Sequence, residues 1–423
     1  MANALTLRLR GILSLPPKDL VASLLMGLAA AFLLGGYEFT RSPSYTLFQS
    51  AYGTKNLPLV QVGIPICSLI LIYIYGWILS RFGPRRTLAI TTLLSGAIIM
   101  ACYIVINHGY LPATAVLFIF REAYIVLIIE QYWSFLNSTL CENSARTMNN
   151  LIIGISSIGA IIGGILVYKL SQAVGTVSLL MLAAASVVPS ALVSDLAYRF
   201  CGEPMETNIS PKNSGAVKHL GLKSFSSSPI LIFLFLLILL TQAVSTVLGL
   251  NFQTHLQNEI STLDAQTAYS GRFYAILNGV AAFFQFVGGP LILSLASATR
   301  VQIAIPIIHI TAVVLFILSP SLFTAGLAFL VFKAFDYSIF RATKEIFYIP
   351  LSFEARYRAK EVIDVFGYRF SKGGTSLFVF LVEKTGIAGR YLFPIASLAA
   401  CMLWLLALIP ITREAAREKT DVS

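Results

Sequence analysis

Charge is scarce in this sequence: Asp, Glu, Lys and Arg together make up 12% of its 423 residues, about half the share of an ordinary soluble domain. Apolar side chains make up 57% and the mean hydropathy is +0.80, which excludes a soluble globule and, equally, a disordered chain. Cysteine is thin, with five residues at 67, 102, 141, 201 and 401. They are widely spaced and form no C-x-x-C pair, so neither a disulfide scaffold nor a cysteine metal site is expected. The four histidines, His108, His219, His255 and His309, fall on separate segments. No H-E-x-x-H, G-x-S-x-G or G-x-G-x-x-G is present, and Ser371-Lys372-Gly373-Gly374-Thr375-Ser376 holds phosphate-loop ingredients in the wrong order. No cofactor, metal ligand or catalytic residue is expected, and the chain does not read as an enzyme.

What is present in abundance is long apolar runs. A spanning helix needs about 20 mostly apolar residues, and such runs follow one another almost from end to end. A membrane barrel would show alternating stretches of about 10 residues, and the sequence lacks them. Charge clusters and Gly/Pro turns divide the runs into twelve spans near 19–40, 57–80, 87–107, 113–138, 148–169, 176–198, 228–257, 266–295, 302–319, 322–349, 358–382 and 389–412. The first follows Arg8, Arg10 and Lys18 as a signal peptide would, but its length favours a retained span. Six spans on each side of a polar stretch predict an all-α membrane protein of two six-helix bundles, residues 1–199 and 228–423, joined by a cytoplasmic linker at 200–227.

Cytoplasmic loops carry the excess of Lys and Arg. Eighteen basic residues fall on the side of the N-terminus and four, Lys55, Lys169, Lys384 and Arg390, on the other. Both termini are therefore expected in the cytoplasm, with the plasma or inner membrane of a bacterium as the location. This asymmetry accounts for most of the formal +11 charge, so a nucleic-acid partner is not expected. The partners that remain are the lipid bilayer and a small molecule, with the protein a monomer.

Eight basic residues stay inside or at the edges of spans: Arg41, Arg121, Arg272, Lys333, Arg341, Lys344, Arg369 and Lys372. Six acids share that zone: Glu38, Glu122, Glu130, Asp336, Glu345 and Asp364. Buried charge in a bilayer costs several kcal/mol unless it meets a partner or a wet cavity, so these residues predict a polar pathway with an anionic occupant. In the tenth span Lys333, Tyr337, Arg341 and Lys344/Glu345 recur at helical spacing along one face. Lys333 and Asp336 stand three apart and Arg341 and Glu345 four apart, spacings that allow pairing, whereas Lys344 has no carboxylate three or four residues away in its helix. Lys360, Asp364, Tyr368 and Lys372 form a second stripe, with Arg369 one step round. Interhelical ion pairing without any ligand is the alternative for both stripes. Gly159 and Gly163 in the fifth span read as a small-residue packing contact.

Two stretches carry a resemblance. Gly76-Trp77-Ile78-Leu79-Ser80-Arg81-Phe82-Gly83-Pro84-Arg85-Arg86 resembles the loop signature of the major facilitator superfamily, with Ser80 in place of its Asp. Gly289 to Ser294 with Arg300 is a weak second copy in the other half. Phe340-Arg341-Ala342-Thr343-Lys344-Glu345-Ile346-Phe347-Tyr348-Ile349-Pro350-Leu351-Ser352, then Lys360 to Val365 and Ser371-Lys372-Gly373-Gly374, resembles the ATP/ADP translocase family of plastids and obligate intracellular bacteria. Weaker likeness covers Tyr132 to Asn137 and Gly154 to Ala160.

That resemblance implies a twelve-span, major-facilitator-like nucleotide transporter working by alternating access and exchange. It also implies a substrate-handling role for Lys344, with Lys372 in a shared basic segment and Glu122, beside Arg121, at the family's fourth-span acid. Arg41 fits the family's first-span R-x-x-K-D, but Ser44 and Tyr45 replace its Lys and Asp. The expected substrate-binding set is Arg41, Arg121, Glu122, Lys333, Tyr337, Arg341, Lys344, Glu345, Asp364, Tyr368, Arg369 and Lys372. Transport of a smaller organic anion or a proton-coupled cargo, and a receptor or scaffold on the same fold, remain the alternatives.

Overall fold

The computed structural model describes residues 16–140, 142–203, 229–348, 367–386 and 392–422. Their regular structure is helical throughout. In chain order the helices are α1 (Pro17–Tyr52), α2 (Leu57–Asn107), α3 (Pro112–Thr139), α4 (Glu142–Val174), α5 (Leu179–Cys201), α6 (Pro229–Glu259) and α7 (Leu263–Phe283). Then come α8 (Gly289–Leu295), α9 (Ala298–Leu318), α10 (Leu322–Phe335), α11 (Arg341–Tyr348), α12 (Tyr368–Lys384) and α13 (Leu392–Val422). Ten helical segments among the described residues are long and apolar enough to cross a membrane. One of them, Thr54–Asn107, holds two of the expected spans, because Gly83 at φ 75° breaks the run between them. The expected eleventh span lies partly outside the described residues. Side chains such as Ile66, Trp77 and Leu192 are 59%, 59% and 63% exposed, which suits contact with lipid rather than water.

The chain forms two compact units. The first takes Met1–Gly53, Ile66–Asn208 and Ile260–Gly279, the second Thr54–Pro65, Ile209–Glu259 and Val280–Ser423. In the first, α1 lies along α4 and α5. Lipid tails are as apolar as leucine, so this packing cannot rest on hydrophobic transfer and requires close approach of backbones. Gly35 and Gly163 meet there, as do Gly159 and Ala31, and a methyl group on either Gly159 or Gly163 would collide with main chain of α1. The packing role expected for these two glycines is therefore observed.

In the second unit α6 packs against α10, α12 and α13, and α9 against α10 and α13. Two of its spans contain a π-turn, Phe284–Gly288 between α7 and α8 and Asp336–Phe340 between α10 and α11. The second corrects the straight α-helical stripe expected for the tenth span. A π-turn closes one residue later than an α-turn and rotates everything beyond it. Lys344 is accordingly 2% exposed, while Arg341 and Glu345, on the same predicted face, are exposed.

Candidate functional site

The first unit gathers a buried charge cluster from α1, α3 and α7. Arg41 Nη1 lies 3.3 Å from Glu38 Oε1, one turn earlier on α1. The Arg41 guanidinium carbon stands 3.6 Å from the centroid of the Tyr274 ring, a stacking distance. Asn278, one turn further along α7, donates from Nδ2 to Glu38 Oε1 at 3.0 Å. Glu38 is 2% exposed, and its Oε2 accepts no hydrogen bond among the described residues.

Arg121 on α3 is fully buried. Its guanidinium is framed by the rings of Tyr45 and Phe118, at 4.4 and 4.8 Å, and by Glu122 Oε1 at 2.8 Å from Nη2. Nη1 donates to the Tyr37 hydroxyl at 3.4 Å. Arg41, Arg121 and Glu122 thus share one neighbourhood around Tyr37. Glu38 was among the acids expected within the spans but outside the expected binding set, and Tyr37 escaped the sequence reading, although each lies within one turn of Arg41. Tyr274 and Asn278 carry no signal near Arg41 in the chain, because more than two hundred residues separate them from it.

The second unit builds a ladder of cations and rings. Lys333 Nζ pairs with Asp336 Oδ2 at 3.7 Å, as the spacing predicts, and lies 5.0 Å from the Tyr337 centroid. Arg341 stands 5.7 Å from Tyr337 and 6.0 Å from Tyr368. Lys344 Nζ is 5.4 Å from the same Tyr368 ring. Two tyrosines therefore alternate with three cations, and α12 delivers one of them. That helix is held in place by Ser371 Oγ donating to the Leu239 carbonyl at 3.0 Å and by Ser376 Oγ donating to Gln61 Oε1 at 2.6 Å. Lys372, one turn after Tyr368, is half-buried on the same helix. Asp364 and the side chain of Arg369 lie outside the described residues.

Aromatic faces paired with guanidinium and ammonium groups suit a phosphorylated, ring-bearing ligand: the cations neutralise phosphate and donate to it, and the rings stack. Among the described residues no group of His, Cys, Asp and Glu is arranged to hold a metal ion. A separate cavity of about 700 Å³ in the second unit is lined by Lys55, Asn251, His255 and Glu383 and contains none of the expected site residues.

Residues 323–414 match the model of the TLC ATP/ADP transporter family, and they include Lys333, Tyr337, Arg341, Lys344, Tyr368 and Lys372. The family match lies within this segment of the chain. The chain is 25% identical over 178 residues to ADP,ATP carrier protein 1 of Rickettsia bellii, covering 36% of each chain. It is 27% identical over 202 residues to ADP,ATP carrier protein 1 of Chlamydia muridarum, covering 42% of this chain and 38% of that one. The match thus spans little more than a third of those relatives' length. Three solved structures share the fold across more than nine-tenths of the chain. A nucleoside transporter, NupG, gives a TM-score of 0.64 at 15% identity, covering 94% of this chain and 99% of that one. A bacterial homologue of the iron transporter ferroportin gives 0.69 at 12%, covering 92% and 98%. A D-xylose-proton symporter gives 0.65 at 13%, covering 92% and 96%. The all-α, major-facilitator-type membrane fold expected from the sequence is thereby established, and the TLC resemblance read from Phe340 to Gly374 stands.

Proposed function

We propose that the protein is a secondary transporter of nucleotides or closely related phosphorylated anions, working by alternating access and exchange. The carrying observation is Lys344: in the TLC-family segment, on a membrane-spanning helix, its ammonium is 2% exposed and shares the Tyr368 ring with Arg341. Three cations and one ring within about three helical turns, with a second ring supplied by α12, form a phosphate-and-base arrangement that a merely structural ion pair does not require. The orientation with both termini in the cytoplasm, the bacterial plasma membrane as location, a monomeric state and the bundle boundaries at 199 and 228 belong to the same proposal.

Uptake into proteoliposomes tests it. Nucleotides with two or more phosphates should compete for uptake, and free nucleosides should compete weakly. Equal competition by the nucleoside would remove phosphate from the recognition.

One observation favours a second reading, a smaller or less charged organic anion. In the first unit's buried cluster both arginines already have a carboxylate beside them, Arg41 with Glu38 and Arg121 with Glu122, so that cluster is close to neutral. Ser44, where the family resemblance expects a lysine, is fully buried and donates to the Arg41 carbonyl at 3.0 Å. Tighter thermal stabilisation by a monocarboxylate or monophosphate than by a nucleoside triphosphate would select this reading.

A further inference from the structure

Gln302 lies in the second turn of α9 and is fully buried. Its Nε2 donates to Thr343 Oγ1 at 2.5 Å and to the Phe340 carbonyl at 3.4 Å. Thr343, also fully buried, donates its hydroxyl to the Ile339 carbonyl at 2.8 Å and the Phe340 carbonyl at 3.1 Å. Both carbonyls belong to the Asp336–Phe340 π-turn. Buried side-chain donors can bond the carbonyls at the end of a π-turn beside the main-chain donors and so fix its geometry. Gln302 and Thr343 do this, and they tie the first turn of α11 to α9.

Lys344 is the next residue. Successive residues on a helix differ by about 100°, so fixing Thr343 toward α9 fixes the direction in which Lys344 leaves the helix. Stability alone does not call for a glutamine here. Its Oε1 is buried and accepts no hydrogen bond among the described residues, and an orphaned buried carbonyl is destabilising. Methionine would fill a similar volume without that cost.

We propose that Gln302 is a positioning residue. Together with Thr343 it sets the rotation of α11 beyond the π-turn and holds Lys344 beside Tyr368, where the substrate's phosphate is received. This rests on the nucleotide reading given above.

The test pairs uptake kinetics with ligand-free melting in the full-length protein. Gln302→Met should raise the KM for ADP about tenfold with the maximal rate within about twofold, while the ligand-free melting temperature stays level or rises. Thr343→Val should act alike, Thr343→Ser should behave as the parent, and the double variant should be no worse than either single one. A fall in ligand-free melting with KM unchanged, or single effects that multiply in the double variant, would overturn the proposal. Should Gln302→Met fail to fold, Gln302→Asn keeps the amide but is too short to reach Thr343.

If the parent protein shows no response to ADP, the nucleotide reading fails and the brace is judged without it. Lys344→Cys is then combined with Gln302→Met, and the rate of reaction with a cationic thiol reagent is measured. A change of about tenfold on loss of Gln302 supports the positioning role, and an unchanged rate refutes it.

Discussion

At the scale of single residues, Arg41, Arg121, Lys333, Arg341 and Lys344 are each framed by a ring, a counter-charge or both, and this determines what each substitution should do. Lys344→Ala should abolish nucleotide-induced thermal stabilisation. Lys344→Arg should retain part of it, because the charge survives but a planar fork replaces a compact ammonium. Retained stabilisation in Lys344→Ala would remove this residue from recognition. At Arg41, stacked 3.6 Å from Tyr274, Tyr274→Phe should be nearly silent. Tyr274→Leu should weaken nucleotide binding by about 0.5–2 kcal/mol, the range of a cation–π contact. Equal effects of the two would show that the ring face is not what holds Arg41. Restoring a cation by Ser44→Lys should fail, since Ser44 is fully buried and overpacking there costs about 1–3 kcal/mol.

The sequence made the cations legible because a charge in an apolar run is conspicuous, and Lys333 with Asp336 was legible because pairing follows helical spacing. Tyr274 and Asn278 were not, since nothing local links them to Arg41. The burial of Lys344 against exposed Arg341 was not legible either, because it depends on a π-turn, which leaves no periodic trace in the run from Leu322 to Tyr348.

At the scale of elements, two features invite direct tests. The α1–α4 contact rests on Gly159 and Gly163, where a side chain would meet main chain rather than a movable side chain. Gly159→Leu should therefore separate the helices and lower the melting temperature, at a cost of about 1–3 kcal/mol. The same change at Gly76, where a β-carbon meets nothing within 4 Å, should be tolerated. The loop signature shows a different economy. Ser80, standing where the family signature has Asp, donates its hydroxyl to the Gly76 carbonyl at 2.8 Å. Arg85 instead takes both oxygens of Asp195 on α5, at 2.6 and 3.1 Å, and Arg199 shares that carboxylate at 2.8 Å. Asp195→Asn should loosen α5 from the start of α2's second segment, seen as faster proteolysis near Gly83. Protection equal to the parent would show that the pair is an exposed contact of little weight.

For the whole molecule, the compact units do not coincide with the two halves of the sequence. Residues Ile260–Gly279 cluster with the first half, with Thr267 bonded to Thr46 at 2.7 Å and Asp264 to Thr176 at 2.6 Å. A fragment ending at Glu203 lacks this segment and should melt well below the full chain. Co-expression with the remainder should recover it, and a fragment as stable as the parent would contradict that dependence. Topology is checked by labelling. In a cysteine-free background an impermeant maleimide added to intact cells should reach Asn258→Cys and not Ser210→Cys. The reverse pattern would invert the expected orientation. The all-helical, multi-span membrane character was legible from hydropathy alone, whereas the recruitment of Ile260–Gly279 to the first unit depends on side-chain pairing that hydropathy does not encode.

The two π-turns have a consequence for descent. A β-carbon added at Gly289, directly after the first, would stand 3.4 Å from Ile339 Cγ1, in the second, so the two turns are neighbours. A π-turn is what one inserted residue leaves in a helix whose ends are already anchored, and two such insertions facing each other keep neighbouring helices in step where one alone would shift them. Lineages in which one insertion has been lost should have lost the other as well, so that relatives differ by matched single-residue gaps near 284–288 and 336–340 rather than by either gap alone.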